Sequence, residues 1–543
     1  MPQHKTSSLI LNSIASLVSR FTGLATQMVM AWFLTPADYG LYAIALGITT
    51  FTTIMRGGGT GVVFQTMQLK EFSTIGGGLL RVALGCGILG TVFTLAMVLP
   101  APYLYPQDAT KGLGWILFYS AVGFIIFNFT TYPRSKVLSR LLFKQIALMD
   151  IASALVKLAS AYYFASNGYG ALSFVLSQLV GGMVVLLWSL AVAGLDRIDF
   201  QTQPHWIADT YTMIKIPFVM ALITSLSTST DLFVASFFIP VSALGIYLFT
   251  NQLAVQPVQM LSSTLQSVLA PYAARVRGDI EQEDFSVRQT FLTGVIFVPL
   301  FIMGIAAVYP SLAHLLFAEK WDQSILPVQF ACAFLIYPTV QTLLEAPLMG
   351  ARRWPVVLEL FTGRMIAKIT GALLGIGVIF AMRVLFKKEG VLAGSSVGAL
   401  LAPIPENYYA LTLVIGVGVV CTVISFYQIK KVSKQIHVSD ITFNYEMYST
   451  PAYSLLAAIA TSSLASSAIE TVGFASTSIR TEALFEFLFC SATYGGVCVV
   501  LLRFGYVDNL NNLLQLLPPN MRKNIYKVLA LQERSAATFE KGK

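Results

Sequence analysis

The chain has 543 residues, 56% of them hydrophobic and only 11% charged, with a mean hydropathy of +0.71. Soluble domains carry about 25% charged residues, so a string of soluble domains is excluded and a polytopic membrane protein is indicated. The net charge of +9 reads as a topology signal rather than as a nucleic-acid surface, because it gathers in loops on one side of the predicted membrane.

The first apolar run, residues 9–34, is long enough to cross a bilayer and lacks the short core and cleavage site of a signal peptide. It reads as a retained first helix. Further runs fall at 40–63, 79–101, 113–133, 146–166, 170–193, 214–238, 242–270, 287–309, 325–349, 356–382, 407–428, 450–472 and 483–503. The prediction is an all-α polytopic membrane protein with about fourteen transmembrane helices. Barrel strands alternate over about ten residues, and these runs are longer and apolar on nearly all sides. Placing the N-terminus in the cytoplasm puts about 22 Lys and Arg in inner loops and about 6 in outer ones, which predicts cytoplasmic N- and C-termini.

Two phrases repeat. Ala31-Trp-Phe-Leu-Thr-Pro36-Ala-Asp-Tyr-Gly40-Leu-Tyr42 and Ala235-Ser-Phe-Phe-Ile-Pro240-Val-Ser-Ala-Leu-Gly245-Ile-Tyr247 each end one apolar run and begin the next. They follow the first and seventh spans. An even separation means both copies cross in the same direction, as in a duplicated transporter unit. The predicted organisation is an N-terminal six-helix lobe (1–193), a cytoplasmic linker (194–213), a second six-helix lobe (214–428), two extra helices (429–503) and an amphipathic or disordered cytoplasmic tail (504–543). The outer stretch 383–406 is Gly-rich and reads as a mobile loop.

Ionisable and polar residues inside spans are costly and are candidate functional groups. The first span carries Asn12, Ser16, Arg20, Gly23 and Gln27 on one helical face, and the second carries Thr49, Thr53 and Arg56. The seventh carries Asp231. The eighth has an amide stripe, Asn251, Gln252, Gln256, Gln259 and Gln266, suited to sugar hydroxyls because amides both donate and accept. Asn12, Gln27 and, on the tenth span, Gln341 join these amides as candidate lining of a sugar-binding cavity; Glu345 also lies on the tenth span, and Arg364 and Lys368 lie one turn apart on the eleventh. Arg20, Arg56, Arg364 and Lys368 are candidates to neutralise a diphosphate. Internal pairing competes with that role, notably Arg364 with Glu359 and Lys157 with Asp150. Asp231 can pair with a cavity cation, bind a coupling ion or titrate. Cys86, Cys332, Cys421, Cys490 and Cys498 lie in apolar runs, and His4, His205, His314 and His437 are scattered, so neither a disulfide framework nor a metal centre is predicted. No P-loop or other cofactor motif is visible.

These residues also carry a resemblance. Ser19-Arg-Phe-Thr-Gly23 through Leu34-Thr-Pro-Ala-Asp-Tyr-Gly-Leu-Tyr42, then Leu138-Ser-Arg-Leu-Leu-Phe-Lys144, Gly168-Tyr-Gly-Ala-Leu172 and Ser229-Thr-Asp231-Leu-Phe resemble Wzx-type oligosaccharide flippases of the multidrug/oligosaccharidyl-lipid/polysaccharide (MOP) exporter superfamily. The resemblance spans about residues 7–440 and departs at Arg56-Gly-Gly-Gly59 and in 383–406. It implies two six-helix lobes in a V around a central cavity lined by helices 1, 2, 7 and 8. It also implies undecaprenyl-diphosphate-linked oligosaccharide as substrate, moved across the bacterial inner membrane by alternating access for polysaccharide assembly, with a polymerase and export machinery as partners. The expectation is a flippase, not an enzyme. The alternatives are a MATE-like drug/cation antiporter, whose cavity should hold acids rather than several cations, and a membrane glycosyltransferase or polymerase, which should carry catalytic carboxylates in a sizeable outer domain.

Overall fold

The computed structural model describes residues 3–53, 60, 63, 76–105, 112–140, 142–193, 206–275, 280–317, 319–350, 353–388, 406–435, 441–472 and 479–504. Among them are fourteen long α-helices and no strand. In chain order they are α1 (Gln3–Phe33), α2 (Pro36–Thr53), α3 (Gly76–Val98), α4 (Leu113–Ser139), α5 (Phe143–Ser166), α6 (Leu172–Ala193) and α7 (Trp206–Ser236). They continue as α8 (Val241–Arg275), α9 (Ile280–Phe317), α10 (Ile325–Gly350), α11 (Trp354–Lys388), α12 (Glu406–Gln435), α13 (Ile441–Val472) and α14 (Ile479–Phe504). The predicted spans map onto them one to one. Several helices overrun the predicted limits: α1, with 31 residues, is about 46 Å long against a hydrocarbon core of about 30 Å. Its polar N-terminal residues continue the backbone ladder beyond the apolar stretch. Ten helical segments among the described residues are long and apolar enough to cross a membrane, and the protein is a multi-pass membrane protein. Arg56, the tail 504–543 beyond Phe504, and most of the 383–406 loop lie outside the described residues.

By packing, the chain divides into two compact units. The first holds Met1–Gln256 and Phe361–Cys421; the second holds Pro257–Leu360 and Thr422–Lys543. This division runs through helices, cutting α8, α11 and α12, whereas the lobes predicted from chain order break at loops. In the first unit α1 packs on α5, α3 on α4, α4 and α5 on α6, and α7 on α2. The α11–α12 crossing is close because it lacks side chains: a Cβ on Gly371 would lie 2.6 Å from the Val417 Cα, and one on Gly416 would lie 2.7 Å from the Gly375 Cα. Gly371 and Gly375 are four apart, the spacing that lets membrane helices approach backbone to backbone. In the second unit α9 is the hub for α10, α13 and α14, with Tyr494 donating to the Leu300 carbonyl at 2.9 Å.

The repeated turn explains why the first unit gathers both copies. Thr35 stands at the start of α2, with Pro36 behind it. The Asp38 carboxylate accepts from the Thr35 N–H (2.9 Å) and hydroxyl (2.7 Å), while the Asp38 N–H donates to the Thr35 hydroxyl (3.3 Å). This reciprocal cap, with proline at the first helical position, fixes where α2 begins. The two copies then pack on each other reciprocally. A Cβ on Gly40 would fall 1.7 Å from the Val241 carbonyl oxygen, and one on Gly245 would fall 1.8 Å from the Pro36 carbonyl oxygen. Any larger residue at either position is sterically excluded. Tyr39 meets Phe249 edge-on at 5.4 Å, the Tyr105 hydroxyl bonds Ser236 at 2.9 Å, and the Tyr105 ring stacks on Phe237. The two turns thus pack directly on each other, a contact called the seal below.

Candidate functional site

Below the seal, α7 changes direction. Ser229 has φ −139° and ψ 16°, outside helical values. The cause is local: Ser227 and Thr228 both donate to the Thr224 carbonyl (2.8 Å each), and Thr230 donates to the Leu226 carbonyl. Such back-bonding by Ser and Thr bends helices. The bend turns the Thr228 carbonyl toward α11, where it accepts from Lys368 Nζ at 2.7 Å.

Asp231 lies just past the bend and is 3% exposed. Its Oδ2 accepts from the Tyr247 hydroxyl at 2.6 Å, and Lys368 Nζ stands 3.6 Å from its Oδ1. Asn251, one turn beyond Tyr247 on α8, hydrogen-bonds the same phenol. Lys368 keeps 23% of its side chain exposed. Arg364 lies one turn away on α11, half-buried, with its guanidinium 5.6 Å from the Phe361 ring centroid. The group is a buried carboxylate held by a phenol and faced by an amine whose hydrogen bond goes to a neutral carbonyl. A charge-assisted N–H···O contact closes to about 2.7–2.9 Å, so at 3.6 Å the amine is oriented toward the carboxylate without being locked on it. Among the described residues no group of three metal-ligating side chains comes together.

The structure thus brings together Asp231, Lys368 and Asn251 from the predicted set and adds Tyr247, which residue spacing had not singled out. The signal was present, since Tyr247 closes the repeated phrase. Arg20 is half-buried on α1. Gln27 on α1 and Gln252 on α8 each have a buried side-chain oxygen without a hydrogen-bond partner in the described structure. Gln256 is half-buried at the end of the first unit, and Gln259 is exposed in the second unit, so the amide stripe is divided between units. The side chains of Asn12 and Gln266 lie outside the described residues.

Gln341 differs from its expected role. Fully buried in the second unit, it donates through Nε2 to the Leu360 carbonyl (3.0 Å) and Gln428 Oε1 (2.8 Å) and accepts from Ser425 (2.5 Å). Its amide is spent on joining α10, α11 and α12. Two expected pairings also differ. Asp150 is bound by Arg134 at 2.9 Å through both oxygens rather than by Lys157, and Glu359 is bound by Lys431 at 2.5 Å rather than by Arg364. In both cases a cation at a helix end out-competes one within the apolar stretch.

A buried carboxylate faced by a partly exposed amine within spanning helices is the kind of costly polar site that membrane transporters carry. Comparison with known proteins names the chain's group. A family model described as "Polysaccharide biosynthesis protein" matches residues 29–326, more than half of the chain, and the chain belongs to that family. The chain is 22% identical over 349 residues to the lipopolysaccharide biosynthesis protein WzxC of Escherichia coli (strain K12), covering 63% of this chain and 69% of WzxC. Its fold is similar to that of the lipid II flippase MurJ in an inward closed conformation: TM-score 0.64, 13% identity, 91% of this chain and 99% of that one. It is also similar to an inward-facing MATE-family multidrug transporter of the MOP superfamily, with TM-score 0.54, 14% identity, 79% of this chain and 100% of that one. The family match agrees with the resemblance to polysaccharide-exporting proteins expected from the motifs, and the two solved structures share its all-helical fold.

Proposed function

We propose that the protein is a flippase that carries undecaprenyl-diphosphate-linked oligosaccharide units from the inner to the outer leaflet of the bacterial cytoplasmic membrane by alternating access. Its place in the polysaccharide biosynthesis family supports the substrate class. The observation that carries the mechanism is the exchangeable Lys368 at 3.6 Å from Asp231. A diphosphate entering the site competes with Asp231 for this amine, with Arg364 one turn away and Arg20 on α1 as further cations. Once Lys368 turns to phosphate, the buried carboxylate keeps only the Tyr247 bond, and an uncompensated buried charge is costly. A proton or Na⁺ then restores neutrality, which ties ion entry to substrate arrival. The turn contact and the site share α7 and α8, so a change at Asp231 can bias the packing of the two turns. The cytoplasmic termini, the two six-helix lobes and the amide contacts from Asn251, Gln252 and Gln256 to sugars complete this reading.

The test is accumulation of lipid-linked intermediates on the cytoplasmic face in cells whose polysaccharide assembly depends on the protein. Arg364→Ala and Arg20→Ala should each raise the intermediates and lower export; unchanged levels in both variants remove the diphosphate assignment. Transport indifferent to both pH and Na⁺ gradients removes Asp231 as the coupling residue. Efflux of cationic dyes, with lipid intermediates unaffected, would favour the antiporter reading instead.

A further inference from the structure

One cation of the first unit has no part in the site above. Lys157 lies about 21 Å along α5 from Phe143 and about 14 Å from Ser166, deep within the span. It is half-buried, forms no ion pair or side-chain hydrogen bond among the described residues, and no charged group acts on its ammonium. Asp150 is the one carboxylate of α5, and Arg134 holds it through both oxygens. The helices that pack on α5, namely α1, α4 and α6, contain no Asp or Glu. No neighbouring helix therefore supplies a countercharge. Nor does the amine point at lipid. Leu148, Leu155 and Tyr162 are exposed at seven-residue steps and mark the lipid face of α5, and Lys157 stands about 200° round the helix from Leu155. An ionisable group placed in this way is costly, and it faces protein or a water-filled path.

On one side, Gly181 of α6 makes room for the lysine stem: a Cβ there would lie 3.3 Å from the Lys157 Cβ. On the other side is α1, whose Phe33 meets Tyr162 edge-on at 5.6 Å. Four crossings separate α1 from α5, so both run in the same direction. Six residues back from that contact, Gln27 stands level with Val156, next to Lys157. Gln27 Oε1 is buried without a hydrogen-bond partner in the described structure. Gln27 shares its face with Arg20, and Gly23 between them borders open space, with no atom within 4 Å of a Cβ placed there. The exposed Phe21 and Trp32 lie on the opposite side of α1. The needs of the two side chains are complementary, since an ammonium only donates and Gln27 Oε1 accepts. A ligand that satisfies both carries an oxyanion beside a hydroxyl, which is the chemistry of an acidic or phosphate-linked sugar. From this juxtaposition we propose that Lys157 and Gln27 form an anionic-sugar contact of the transport path. This assignment rests on the flippase reading and adds to it a cation of the first copy that selects for charged sugars.

The experiment uses the full-length protein in detergent, with glucuronic acid, glucose 1-phosphate and glucose as probes, read by equilibrium binding and thermal unfolding. The wild type should bind the two anionic sugars more tightly than glucose. Lys157→Met should weaken both by at least about tenfold, the worth of one hydrogen bond to a charged group, and leave glucose unchanged; Lys157→Arg should retain them. Binding of glucuronic acid identifies an acidic sugar as the source, and binding of glucose 1-phosphate alone identifies the phosphate-linked first sugar. Lys157→Met keeps the side-chain length and removes an uncompensated charge, so without probe its unfolding temperature should equal or exceed that of the wild type. A lower temperature, or a variant that does not fold, would reveal a partner within the protein and overturn the proposal. So would equal binding of the anionic sugars by wild type and Lys157→Met, an outcome that leaves the flippase reading and its Arg364→Ala test standing.

Discussion

The two copies of the repeated turn share a backbone and differ in charge. Alignment on the common Ala and Tyr sets Gln27 of α1 against Asp231 of α7, and Tyr42 against Tyr247. The glycines behave alike, each pressed against a carbonyl of the other copy. The tyrosines do not. Tyr42 accepts from a neutral amide on α6, within its own copy, and stacks on Phe174 at 4.3 Å. Tyr247 donates to a buried carboxylate that faces Lys368. The two copies therefore share the packing surface and differ in the polar positions beneath it, an amide at Gln27 in one and a carboxylate at Asp231 in the other.

Removing the ionic side of this asymmetry should have the largest effect. Lys368→Ala strands Asp231, and breaking a buried ion pair by losing one partner costs about 3–5 kcal/mol; thermal unfolding in detergent measures it. The charge-swapped pair Lys368→Asp with Asp231→Lys should recover most of that loss, and failure to recover would show that Tyr247 and the Thr228 carbonyl depend on the native polarity. Next come the glycines. Gly40→Val and Gly245→Val should destabilise the sealed state about equally, by about 3 kcal/mol at the upper end of overpacking effects. A cysteine placed at Ser236 should become more reactive to a water-soluble thiol reagent in both; a large effect in only one would break the symmetry of the seal. The tyrosines should separate. Tyr247→Phe removes a bond to a charged group, worth about 1.5–3 kcal/mol, and Tyr42→Phe a neutral one, worth about 0.5–1.5 kcal/mol. Equal losses would show that the Tyr247–Asp231 bond is worth no more than the Tyr42–Gln178 one.

The helices and the turn were legible because their causes are local: apolar length, the Thr35–Asp38 cap, and proline at the first position of α2. The charged residues were legible as candidates, since ionisable groups inside spans stand out against so apolar a background. Their partners were not. Asp231 and Lys368 are far apart in sequence and meet only because α7 bends at Ser229 and α11 packs nearby; the Thr224–Thr230 hydroxyl run was a readable clue to the bend, but not to its direction. Gln341 shows the opposite limit. Helical spacing marks a polar face but cannot distinguish one that lines a cavity from one that bonds neighbouring helices, and only tertiary packing with Ser425 and Gln428 reveals which it is.

The bare crossing of α11 and α12 bears on how this transporter could evolve. Lys368 sits a single turn ahead of Gly371, so its reach toward the Thr228 carbonyl is set by a contact whose nearest atoms are backbone. A methyl group added at Gly371 or Gly416 would wedge the pair apart and shift the ammonium without touching it. These positions should therefore tolerate less variation than the amides of α8: substrate preference can drift at the glutamines, whereas the placement of the charge is anchored by an interface with no slack.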